Sequence, residues 1–154
     1  MTYNSIGTLE SIVKLVLAVL RRLDRAKITQ IFTTGKLPEK VEEEIKYEDI
    51  IAILSSLTEL GMDIAGRLNK TDIMKMLGTL SVSLDTSLEA LIALTLDKYS
   101  YREAGKPEET VAGYQKLALA TYDFSYALLG GFGLLRSAAN VYYSIKYGIN
   151  PYKS

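Results

Sequence analysis

The amino-acid sequence predicts an all-α fold, a single helical domain over residues 1–154 arranged as a bundle of five to six helices. Three observations support this prediction. Apolar residues recur at steps of three and four, the period of a helix with one apolar face. The 154 residues contain 3 prolines. Strand-type, β-branched residues dominate one short segment, 28–34. A chain of this length suffices for one domain with its own core.

The first predicted helix covers residues 8–32, where Leu9, Ile12 and Val16 repeat at helical spacing. Helix and hairpin both remain open for residues 28–47, because β-branched residues also suit a strand; we favour the helix. Pro38 then fits the first turn of a short polar helix.

A second helix is predicted over residues 48–68, and Asn69 or Thr71 can cap the start of the next one. From residue 72 onward, the apolar series continues at helical spacing. A capping-box pattern at Thr86 leaves two interpretations of residues 72–96, one long helix or two collinear helices.

Residues 98–107 are the predicted main loop, and the apolar last third forms a Gly-hinged C-terminal helical pair. Glycines at 130, 131 and 133 provide the hinge or a point of close contact. Gly148 is expected in the left-handed conformation that ends a helix, followed by Pro151.

The apolar faces of these helices are expected to form the core, because water normally covers the polar face of an amphipathic helix. The predicted core consists of Ile12, Val16, Leu20, Ile53, Leu57, Leu60, Ile64, Leu77, Leu80, Leu84, Leu91, Leu117, Leu128 and Leu135.

The composition excludes most kinds of catalytic site, because the chain has no His, no Cys and no Trp. An imidazole base, a thiolate nucleophile and a zinc cluster are thereby excluded. Asp123 with Arg136 and nearby tyrosines could supply an acid or base, but lone charges on apolar helices more often form ion pairs or exposed edges. We therefore expect a protein that is not an enzyme, with no catalytic residue.

Two further patterns have a structural interpretation that we prefer. Gly130-Gly131-Phe132-Gly133 fits neither the dinucleotide nor the phosphate-loop spacing, so no cofactor is expected; Gly130, Gly133 and Ser137 instead form a strip for close helix packing. The acidic residues between 39 and 49 lack the ligand loop of an EF-hand, so no metal is expected and a solvated face is preferred.

The sequence predicts no membrane span and a cytoplasmic location. The longest uncharged stretch, Phe124 to Leu135, is shorter than the roughly 20 residues that cross a bilayer. The early apolar run is interrupted by Lys14 and does not have the charge order of a signal peptide.

Three groups of side chains are candidate contact surfaces. The first is a basic face on the first helix, which suits an anionic partner. The second is an acidic face, which suits an electrostatic contact with a basic surface. The third is a Tyr-rich C-terminal group, which combines apolar area with hydroxyls. The basic face is Lys14, Arg21, Arg22 and Arg25; the acidic face is Glu39, Glu42, Glu43 and Glu44; the C-terminal group is Tyr142, Tyr143, Lys146, Tyr147 and Tyr152.

These features predict a non-enzymatic helical interaction protein, which self-associates or serves as an accessory subunit of a larger complex. The partner is a second copy or another protein. The alternative is a small nucleic-acid-associated subunit, of a CRISPR effector or of a viral structure, that uses the basic first helix and the Tyr/Lys end. A net charge of zero favours the protein partner.

Two ordered segments carry a family resemblance: Leu68-Asn69-Lys70-Thr71-Asp72-Ile73 and Gly131-Phe132-Gly133-Leu134-Leu135-Arg136. Together they resemble the domain of unknown function 1641 family, small helical proteins often encoded beside formate-dehydrogenase-like or related redox genes. Where that family continues with Asp-Pro, this chain has Ser137-Ala138-Ala139. The resemblance implies no known active site.

A second similarity, through Tyr114-Gln115-Lys116-Leu117 and Ala120-Thr121, is to the small helical subunits of archaeal CRISPR effector complexes. The aromatic and basic run expected in the final helix of those subunits is absent from this sequence.

Overall fold

The computed structural model describes residues 2–34, 47–98 and 111–153, and side-chain environments for 2–22, 47–94 and 121–153. Four helices account for nearly all of these residues: α1 (Tyr3–Thr34), α2 (Tyr47–Arg67), α3 (Thr71–Lys98) and α4 (Val111–Tyr147). The described ranges contain no strand. The predicted all-α bundle is confirmed at this level.

Each helix packs against the next in the order α1, α2, α3, α4, and α4 packs back on α1. Neighbouring helices are antiparallel. Thr8 near the start of α1 bonds to Asp63 near the end of α2, and Gly78 near the start of α3 lies against Val141 near the end of α4. The start of α1 and the end of α4 therefore share one end of the bundle, which we call the Tyr152 end.

Two helix ends at the Tyr152 end adopt left-handed backbone. Asn69 has φ 60°, and the backbone N–H of Lys70 donates to Ala65 O at 2.8 Å in a Schellman motif. Gly148 has φ 62°, and its N–H donates to Ser144 O at 3.1 Å. The predicted helix end at Gly148 is confirmed, and the tight turn at Asn69 sets α2 beside α3.

The structure differs from one predicted detail and decides between the alternatives at two others. α4 continues unbroken through Gly130–Gly133, and α3 is one helix in which Thr86 Oγ1 donates to Val82 O rather than capping a new helix. α1 extends to Thr34, so the favoured helix is found over residues 28–34. The short helix predicted after Pro38 and the loop at 99–107 lie outside the described residues.

The predicted core is wrong, because none of its members with a described side chain is buried. Ile64 is 59% exposed, Leu128 61% and Leu135 68%. The apolar residues that are buried are fewer and often small, and form two groups: Ala18, Ala52, Leu88, Ile92 and Tyr126, and then Met62, Ala65 and Met74. The polar faces of the helices meet inside the bundle, and the apolar faces lie outside.

This inversion predicts unequal effects at two leucines. Leu88→Ala removes a fully buried side chain and should lower the free energy of unfolding by about 2–5 kcal/mol. Leu128→Ala, the matched change on the outer face, should change it little. Thermal unfolding followed by circular dichroism measures both, and a larger loss at Leu128 than at Leu88 would restore the conventional core.

Candidate functional site: a charged interior

The interior of the bundle holds an unusual number of ionisable groups. Among the described side chains, seven acidic and three basic ones are buried: Glu10, Glu48, Asp49, Glu59, Asp63, Asp85 and Asp123, with Lys14, Arg21 and Arg136. Charged side chains are rarely buried unless they are paired. The three basic residues define three layers along the bundle, each supplied by several helices.

The first layer lies at the Tyr152 end and is centred on Arg136 of α4. Its guanidinium binds the Asp63 carboxylate of α2 in bidentate fashion, with N–O distances of 2.5 and 3.3 Å. Thr8 of α1 donates to the second Asp63 oxygen at 2.8 Å, and Tyr152 donates its hydroxyl to the first. Such a planar, bidentate pair is the strongest form of charged hydrogen bond.

Tyr152 reaches this layer because the segment after α4 folds back onto the bundle. Its ring occupies the space beside Gly66, where a Cβ would overlap it. Asn150 Nδ2 donates to Gly66 O at 2.8 Å, and Asn4 Nδ2 donates to Pro151 O at 3.2 Å. Burial and the adjacent Asp63 carboxylate raise the pKa of Tyr152 above its ordinary value, so the hydroxyl stays protonated and donates.

The central layer is built around Lys14 of α1, which is fully buried. All three ammonium protons have acceptors: Glu59 Oε1 at 2.7 Å, Ser55 Oγ at 2.8 Å and Asp85 Oδ1 at 3.1 Å. Ser55 also donates to Asp85. One lysine thereby ties α1 to α2 and α3.

The third layer is centred on Arg21 of α1. Its guanidinium lies 2.6 Å from an Asp49 oxygen and 2.9 Å from an Asp123 oxygen, which joins α1 to α2 and α4. The ring of Tyr126 lies 5.9 Å from the guanidinium carbon, within cation–π range. Tyr126 donates its hydroxyl to Leu17 O at 2.9 Å.

Glycines make the room that these side chains need. A Cβ at Gly133 would overlap the Glu59 carboxylate, and a Cβ at Gly7 would overlap the Arg136 side chain. At Gly130 it would lie 2.7 Å from a Glu89 oxygen. The two glycines of the small-residue strip predicted on the last helix therefore accommodate carboxylates of α2 and α3, whereas at Ser137 the backbone of α4 lies close to Gly78 of α3.

The structure separates the residues predicted to act together. Asp123 and Arg136 belong to different layers and pair with Arg21 and Asp63 respectively. Lys14 and Arg21 are fully buried, so with Arg22 half-buried they do not form the solvent-facing basic surface that was predicted. The side chain of Arg25 and residues 39–44 of the acidic face lie outside the described residues.

The C-terminal group is only partly assembled. Tyr142, Tyr143 and Tyr147 are exposed, with rings 5.6 to 6.5 Å apart, and Lys146 Nζ donates to the Tyr142 hydroxyl at 2.7 Å. Tyr152 lies apart from them, within the first layer. The remaining three tyrosines form a small aromatic surface at the Tyr152 end.

The outer surface of the bundle carries large apolar side chains on every helix, and α3 also exposes the hydroxyls of Thr79, Ser83, Thr86 and Ser87. Where side chains are described, the exposed charges are Arg67, Lys70, Asp72, Lys146 and Lys153, all at the Tyr152 end. Beyond them, no exposed charge occurs on α1 from residue 3 to 20, on α2 from 50 to 66, on α3 from 76 to 94 or on α4 from 121 to 145. We call this region the uncharged belt.

In the part of the chain that the structure describes, two helical segments have the length and composition of membrane spans: Tyr3–Arg22 and Thr71–Leu94, each with a mean hydropathy of 1.3. Within the described residues, no cluster of acidic side chains has the arrangement of a metal site. Comparison with protein families, with curated proteins and with solved structures gives no match.

Proposed function

We propose that this chain is a non-enzymatic helical protein that functions inside a lipid bilayer, with the uncharged belt in contact with lipid tails. The observation that carries the proposal is the inverted distribution of side chains. Ten charged side chains are buried, whereas the exposed side chains of the belt are uncharged and include large apolar ones on all four helices. In water this arrangement exposes apolar area that costs free energy, whereas hydrocarbon accommodates it.

The length of the belt supports a bilayer. At 1.5 Å per residue, the parts of the belt described on α1, α2 and α3 are each at least about 25 Å long. The hydrocarbon core of a typical bilayer is about 30 Å thick. A belt that covers one face of one helix would suit a protein partner, but this one surrounds the bundle.

The charges and aromatic residues that border the belt also fit a bilayer. Arg67, Lys70 and Lys146 lie at the Tyr152 end beside the aromatic surface, and Tyr47, 74% exposed, begins α2 at the other end. Tyrosine is enriched at membrane–water interfaces, where its ring meets lipid and its hydroxyl meets water.

The three buried layers explain how charged side chains can lie at the depth of the hydrocarbon core of a bilayer. Ionisable groups inside membranes face the bundle interior and pair with one another. Each of Lys14, Arg21 and Arg136 lies within 3.1 Å of a carboxylate oxygen. These three charged residues interrupt the apolar runs of the sequence, but their side chains point into the bundle. The lipid-facing surface therefore stays uncharged.

The competing proposal is the soluble, cytoplasmic assembly that the sequence predicts, in which further protein chains cover the belt. It is favoured by the same exposed residues, and by the aromatic surface of Tyr142, Tyr143 and Tyr147. The nucleic-acid alternative loses support, because two of its four basic residues are fully buried.

Extraction of membranes separates the two proposals. The expressed chain should sediment with membranes, resist washing with alkaline carbonate and high salt, and dissolve in detergent. Recovery of a monodisperse, detergent-free assembly from the aqueous fraction would reject the bilayer proposal and support the soluble assembly.

Matched charge insertions test which surface meets lipid. Leu128→Glu places a carboxylate in the middle of the belt, where a charge costs roughly 2.5–3.5 kcal/mol for insertion. We expect a lower fraction of carbonate-resistant protein. Lys146→Glu adds the same side chain to the same helix beyond the belt, and its resistant fraction should match the wild type. Equal behaviour of the two variants would contradict the assigned position of the belt.

A further inference from the structure

The central layer contains more negative charge than its one cation balances. Lys14 lies 2.7 Å from a Glu59 oxygen and 3.1 Å from an Asp85 oxygen, and Glu10 interacts electrostatically with all three groups. Three ionised carboxyls and one ammonium would leave this layer with a net charge of −2. Glu10 is 8% exposed, and the other three are fully buried.

The adjacent positive charge does not balance the excess. Arg136 is the nearest cation toward the Tyr152 end, but it is engaged in the bidentate pair with Asp63. Glu89 of α3, half-buried beside Gly130, adds a further carboxyl that interacts with Lys14. Uncompensated charge in a site without water is too costly to persist, and neutralisation by protons is the usual outcome.

Two carboxyl oxygens of the layer have no hydrogen-bond partner. Glu10 Oε1 and Asp85 Oδ2 are buried oxygens without any hydrogen-bond donor. The hydroxyl of Ser55 is shared, since it lies within bonding distance of both Asp85 and Glu59 Oε1. A carboxyl that gains a proton becomes a donor, which a layer with unsatisfied acceptors can use.

We propose that the central layer is a proton-binding site, in which at least one of the carboxyls of Glu10, Glu59 and Asp85 is protonated at neutral pH. The proton comes from water and neutralises a carboxylate, so no further reactant is required. The groups tied by charge in this way titrate as a set rather than one by one. A metal cation is a poorer occupant, because no group of three acidic side chains in the described chain has a metal-site arrangement.

A polar path connects this layer to the Tyr152 end. Ser11 donates to Glu59 Oε2 at 2.5 Å and accepts from Arg136 Nη2 at 3.1 Å. Arg136 and Tyr152 both contact Asp63. Tyr152 lines a cavity of about 250 Å³, shared with Thr2, Asn4, Ser5, Arg67 and Pro151. Solvent that enters this cavity would meet the outer end of this hydrogen-bonded chain.

Infrared spectroscopy of the purified full chain at neutral pH tests the proposal, because a protonated carboxyl has its own carbonyl band that shifts in D₂O. The wild type should show such a band. The double variant Glu10→Gln/Asp85→Asn leaves the neutral pair of Lys14 and Glu59, and should fold with a band weaker than that of the wild type, because the buried carboxyls of the third layer are unchanged. Asp72→Asn removes an exposed carboxylate, 97% exposed at its side chain, and should leave the band unchanged.

Three outcomes would overturn the proposal. The first is a folded wild type without a protonated-carboxyl band at neutral pH. The second is a band of undiminished intensity in the folded double variant. The third is a wild type whose band is absent and whose thermal stability rises with sodium or lithium concentration, which would replace the proton by a metal cation. If the double variant does not fold, the single variants Glu10→Gln and Asp85→Asn are measured instead, and an unchanged band in both would count against the site.

Discussion

Arg136→Met should be among the most damaging single substitutions in this chain. It removes the cation of the first layer and leaves the buried Asp63 carboxylate without its bidentate partner. Removing one member of a buried ion pair typically costs about 3–5 kcal/mol, because the remaining charge keeps its desolvation penalty. Thermal unfolding, under the solution conditions that keep the wild type monodisperse, measures the loss.

Two further variants show whether the loss comes from the orphaned charge. Arg136→Met combined with Asp63→Leu removes both charges, and should be clearly more stable than Arg136→Met alone, since replacing a buried pair by apolar groups is often tolerated. Lys146→Met removes an exposed cation from the same helix and should have little effect. Additive losses in the double variant would mean that Arg136 contributes by packing and not by its charge.

Gly133→Ala is the second substitution with a large expected effect. Its new methyl group would overlap the Glu59 carboxylate, which Lys14 and Ser11 hold in place. Overpacking of this kind costs about 1–3 kcal/mol, and displacing Glu59 also breaks its hydrogen bonds in the central layer. The gain in helix propensity from Gly to Ala, about 1 kcal/mol, offsets only part of this.

Gly131→Ala is the matched control for this change. A Cβ at Gly131 meets only a Glu89 oxygen at 4.0 Å, an ordinary contact. This variant should be as stable as the wild type or slightly more so, because it gains the same propensity. If both alanine variants prove equally stable, Gly133 is not required to accommodate Glu59.

The helices themselves could be predicted from the sequence because their signals are local. Gly148 ends α4 as its position indicated, and the apolar period placed helices over most of α1, α2 and α3. The predicted break at Gly130–Gly133 failed because those glycines sit opposite carboxylates within a continuous helix, where they provide room rather than flexibility. A glycine group alone does not distinguish these two uses.

The core could not be predicted, because an amphipathic period reveals two faces without showing which one is inside. Assigning Ile12 and Leu128 to the core assumes that water covers the polar face. The lone charges carried the missing information: Lys14 in an apolar run, and Asp123 and Arg136 on an apolar helix. Which carboxylate each of them pairs with depends on contacts between helices distant in sequence, such as Arg136 with Asp63.

Single-cysteine labelling in native membranes tests the central claim, that the apolar faces of this bundle meet lipid. The chain contains no Cys, so each introduced thiol is the only one. Leu80→Cys and Leu128→Cys lie in the uncharged belt, and Asp72→Cys lies at the Tyr152 end. With membranes opened to both sides, a charged, water-soluble maleimide should label residue 72 rapidly and the two belt positions only after detergent is added. Labelling of the belt positions as fast as residue 72 without detergent would contradict the bilayer assignment.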